Sequence, residues 1–119
     1  SDSPLLHDYN ALVVEGNKAV YIVQMNVAFQ KYLGARASLD RLALNPLERE
    51  QAEEAINALH VKLALYRALR RCHEAMDSRD RDGLQQAMID VKRLVSMVDV
   101  SSKLFEKASK EYSFFASSL

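Results

Sequence analysis

The chain has 119 residues, an amount of sequence expected to form one domain. Sixteen Lys and Arg balance sixteen Asp and Glu, so no global field draws the chain to nucleic acid or membrane. Three Gly and two Pro are too few for an all-β protein, and 49% apolar content argues against disorder. A lone Cys72 excludes an internal disulfide framework or a cysteine-based zinc site. No apolar run approaches the roughly 18 residues of a membrane span, and no signal peptide is visible. The chain opens on Ser1, so the expectation is a soluble piece of a longer protein.

The first third keeps a heptad register through Leu6, Tyr9, Val13, Gly16, Val20, Val23 and Val27. This predicts one helix from about Pro4 to Leu33, bent at Gly16-Asn17 and ended by Gly34 as a C-cap. A competing reading makes Glu15-Gly16-Asn17 a hairpin turn, giving four unequal helices. Ser38 is expected to cap a short helix over Leu39–Leu44. Asn45 then supplies an N-cap, Pro46 fits the first helical position, and Glu48 and Glu50 favour the positive end of the dipole. Ala52, Ile56, Leu59, Leu63, Tyr66 and Leu69 continue this helix to about Met76, where Asp77-Ser78-Arg79-Asp80 breaks it. Asp80 or Asp82 can cap a last helix across a tight αα-hairpin.

That last helix is expected to run unbroken from about Gly83 to Ala116. Leu84, Met88, Val91, Val95, Val98, Phe105 and Tyr112 form its main stripe, and Leu94, Met97, Leu104, Ala108 and Phe115 widen it. The predicted fold is all-α: an elongated, four-helix-bundle-like antiparallel arrangement of three long helices and a short one.

Catalytic chemistry has little to stand on. None of His7, His60 and His73 follows a Glu by three positions, the spacing of a di-metal bundle site. Cys72 lies among Arg70, Arg71 and His73, which can lower its pKa, but no oriented base or oxyanion site accompanies it. There is no glycine-rich phosphate loop. The expectation is a non-enzyme without metal or cofactor.

Two local features stand out. Residues Gly34 to Leu44 place Leu39, Leu42 and Leu44 among Arg36 and Arg41, where a connecting segment would normally be polar. Either these leucines close the end of the core, or they form a tip that dips into a bilayer while the arginines meet lipid phosphates. Between Arg67 and Asp82, Arg67, Arg70, Arg71, Arg79 and Arg81 face Glu74, Asp77, Asp80 and Asp82. That near-balance reads as a solvated, salt-bridged helix end.

With this helical plan and leucine-arginine tip, the chain resembles the membrane-localisation bundles of large bacterial toxins and type III effectors, including the lipid-raft-targeting domains of BteA-like effectors. The resemblance implies binding of anionic inner-leaflet lipids, phosphoinositides and phosphatidylserine among them, at a host plasma membrane after secretion by a bacterium. It also implies docking of a secretion chaperone. The lipid-binding roles it implies fall on Arg36, Leu39, Arg41 and Leu42, with Lys107 and Lys110 at the same end. If the turn at Gly16 is real, the tip moves to the other end, onto Leu12–Val14, Lys18, Arg79 and Arg81. The functional expectation is a non-catalytic targeting domain. Its rival is a helical protein–protein module, either a chaperone or a chaperone-docking domain, which an exposed apolar groove along the helices would favour.

Overall fold

The structure, a computed structural model, describes residues 4–119, and among them every regular element is an α-helix. The helices are α1 (Pro4–Tyr21), α2 (Met25–Leu39), α3 (Pro46–Asp77), α4 (Arg81–Val95) and α5 (Lys103–Ser117). The chain divides into two compact units, one ending at Leu63 and one beginning at Ala64, so α3 contributes to both.

In the first unit α1 and α2 form an antiparallel hairpin. Lys31 pairs with Glu15 at 2.9 Å, and Gly34 lies against Leu12. The start of α3 runs alongside α1: the Tyr9 hydroxyl donates to the Ala52 carbonyl, and Lys62 Nζ donates to Asn17 Oδ1 at 2.6 Å. Gly16 allows the close approach of these helices, since a Cβ there would come within 2.7 Å of Leu59 Cδ2. Gly16 is therefore buried inside α1, which continues to Tyr21, so the turn weighed there does not form.

The interruption comes later, at residues 22–24. The Gln24 N–H donates to the Ala19 carbonyl (2.8 Å) and the Val23 N–H to that of Val20 (3.0 Å), the paired bonds of a Schellman motif. Val23 takes the left-handed position with φ 59°, where glycine is usual. Past this break the apolar face is reset. Val23 and Val27 of the expected heptad are exposed, while Ala28, Ala35 and Leu39 point inward. Gly34 ends nothing, since α2 continues to Leu39, and no separate helix forms over residues 39–44.

α3 begins as expected. The Glu48 N–H donates to Asn45 Oδ1 at 2.8 Å, and the Asn45 N–H to Glu48 Oε1 at 3.2 Å, a reciprocal capping box. It ends in a second Schellman motif, with Arg79 left-handed at φ 56°. Asp80 then caps α4 by accepting from the Gly83 N–H at 2.9 Å.

In the second unit α4 folds back along α3, and Arg71 reaches Asp90 at 2.9 Å. Leu84, Ala87, Met88, Val91 and Leu94 are buried. The expected single helix to Ala116 is split at residues 96–102. Asp99 accepts from the Ser101 N–H and hydroxyl, and Ser102 Oγ accepts the Phe105 N–H to start α5. Local polar bonds thus override the continuous apolar stripe, leaving Met97 and Val100 exposed.

Candidate functional site

The leucine-arginine segment closes a core. Leu39 is 1% and Leu42 6% exposed, and both belong to a cluster with Tyr9, Val13, Ala35, Ala52 and Ile56, against which Leu44 packs. Two turn bonds, Arg41 N–H to Ser38 and Leu42 N–H to Leu39, fold the chain inward after α2, and Arg49 clamps the Leu42 carbonyl at 3.1 Å. Both side chains are thus part of the first unit's core. Arg36 and Arg41 remain exposed beside them. Burial pushes the Tyr9 hydroxyl above its ordinary pKa, partly offset by nearby Arg36, which suits its role as a buried donor.

Four further expected cations, Arg79, Arg81, Lys107 and Lys110, belong to the second unit. Lys107 pairs with Glu111 at 2.5 Å and Lys110 with Glu106 at 2.9 Å, both within α5 of the second unit. Burial raises the Glu111 pKa, but its bonds to Lys107 and to His73, whose Nε2 lies 2.6 Å away, outweigh that and hold it below the usual range. Arg79 occupies the left-handed turn, and Arg81 approaches the Leu119 carbonyl at 3.5 Å.

Cys72 is fully buried, and desolvation raises its pKa to about 11, outweighing the opposing effect of Arg71. His60 contacts the Tyr32 hydroxyl at 3.0 Å. Among the described residues no group of three or more His, Cys, Asp or Glu is placed to hold a metal, and no helix is long and apolar enough to cross a membrane.

A different surface lies at the α1–α2 turn, where the sequence singled out Val14 and Lys18 but not residues 21–23. Tyr21, Ile22 and Val23 are 71%, 59% and 59% exposed and consecutive. Lys18 lies one turn earlier on the same side, its carbonyl accepting the Ile22 N–H at 3.1 Å, and Val14 extends this exposed face by another turn. Lys18 makes no ion pair among the described residues. Gln24 stands at the N-cap of α2 without a side-chain bond, in contrast to Asn45, Asp80 and Ser102. No acidic residue occurs from Gly16 to Leu39, while Lys18, Lys31 and Arg36 do. The available signal was the unbroken apolar run from Ala19 to Val23, which cannot all face one side of a helix.

No protein family, curated protein or solved structure matches the chain.

Proposed function

We propose that the chain is a non-catalytic module that associates reversibly with anionic membrane surfaces through the α1–α2 turn. The observation that carries this reading is the run of three exposed apolar side chains at the turn between α1 and α2. A tyrosine beside branched aliphatics suits the boundary between headgroups and acyl chains. Lys18 and the positive end of the α2 dipole add attraction to phosphate, and the nearest acid in sequence, Glu15, is paired with Lys31. The class of activity is the one implied by the resemblance to effector targeting domains, but the inserting residues are Ile22 and Val23 in place of Leu39 and Leu42.

The magnitudes suit reversible binding. Burying two aliphatic side chains contributes about 3–6 kcal/mol and one lysine about 1 kcal/mol, before association costs. Co-sedimentation with phosphatidylcholine vesicles, with and without phosphatidylserine, tests the reading. Wild type should pellet with the anionic vesicles, and Ile22→Ser should pellet less at unchanged helicity. Equal failure on both vesicle types removes the proposal.

A second reading has its own support. In the second unit an open groove of about 780 Å³ runs between α4 and α5, lined by Met88, Ile89, Tyr112 and Leu119 with Lys92 and Arg93 at its rim. Such a surface suits docking of an apolar helix from a partner protein, as in the chaperone-related alternative. Loss of a partner on Ile89→Asp, with vesicle binding intact, would assign protein docking to this face.

A further inference from the structure

We infer that the α1–α2 turn responds to the charge density of an anionic bilayer and does not recognise any particular headgroup. This rests on the membrane reading above and specifies its ligand as a mixed anionic lipid surface. A site selective for a polyphosphorylated headgroup needs several donors converging on one cluster of phosphates. Here residues 16–30 contain one charged side chain, Lys18. The nearest other cations are engaged within the fold: Lys31 with Glu15 at 2.9 Å, and Lys62 with Asn17 at 2.6 Å. The Asn17 amide also donates to the Val13 carbonyl at 2.9 Å. The backbone N–H groups of Ile22, Val23 and Gln24 are all bonded to α1 carbonyls, so the turn offers no nest for a phosphate. What remains is one cation, the positive end of the α2 dipole and three exposed apolar side chains, and that combination attracts any anionic surface in proportion to its charge.

Vesicles of phosphatidylcholine doped with phosphatidylserine, or with phosphatidylinositol 4,5-bisphosphate, at matched surface charge provide the test. Partition coefficients should agree within about threefold between the two anionic types. Lys18→Ala should lower both by the same factor, about fivefold, and high salt should abolish the difference between wild type and variant. A preference of about tenfold or more for the phosphoinositide at matched charge, or a Lys18→Ala loss confined to it, overturns the inference while leaving membrane association standing. Absence of binding to every vesicle overturns both.

Discussion

Val23 holds φ 59° at the close of α1, a conformation that costs an L side chain about 1–2 kcal/mol and is rarest for β-branched residues. Its side chain is 59% exposed, and the paired bonds of the Schellman motif hold the residue in place. Val23→Gly is expected to raise the unfolding free energy by up to about 1 kcal/mol and at the same time reduce pelleting with phosphatidylserine vesicles. Arg79→Gly supplies the control: it relieves the same strain at φ 56°, so it should stabilise similarly while leaving vesicle binding unchanged. Thermal unfolding and co-sedimentation on the same preparations separate these outcomes. A destabilised Val23→Gly would show that the side chain supports the turn instead of merely being presented by it.

Elements were legible where their ends are decided by a side chain close in sequence. Asn45 and Pro46 announce α3, and Asp80 announces α4, because the capping atom sits within three residues of the N–H it accepts. The α1–α2 break was hidden because its left-handed residue is Val23, which also fits the heptad register. The break before α5 was hidden in the opposite way: Asp99, Ser101 and Ser102 mark it, but Val95, Val98 and Phe105 keep the stripe running across them. The two helical glycines separate propensity from packing. Gly34→Ala places a Cβ in contact range of Leu12, 3.4 Å away, and should stabilise by up to about 1 kcal/mol. Gly16→Ala presses on buried Leu59 and should destabilise by about 1–3 kcal/mol despite the same gain in propensity. The leucine-arginine segment was legible only as two alternatives, since composition cannot distinguish a leucine that closes a core from one that leaves it. Leu42→Asn should lower stability by about 2–4 kcal/mol, read by chemical denaturation, and leave the vesicle affinity of the folded fraction unchanged.

Across the whole molecule, zero formal net charge conceals an uneven distribution. The stretch from Gly16 to Leu39 has three bases and no acid, whereas both acids of α5 are paired within the helix, as Glu106–Lys110 and Glu111–Lys107. In the second unit Glu111 is mostly enclosed and bridges Lys107 to His73, whose ring meets Phe115 edge-on at 4.9 Å. Its carboxyl is held below its ordinary value of 4.5 in the fold, so its contribution to stability is complete above pH 4.5. That contribution is lost as the pH falls through the lower folded value and the carboxylate takes up a proton. Glu111→Gln should therefore be less stable than wild type by about 1–3 kcal/mol at neutral pH, with the gap closing as the solution is acidified below pH 4.5. Parallel melting curves followed by circular dichroism from neutral to acid pH check both the sign and the window. A gap unchanged at low pH would mean that Glu111 acts through packing, and one that widened would reverse the direction assigned to its titration.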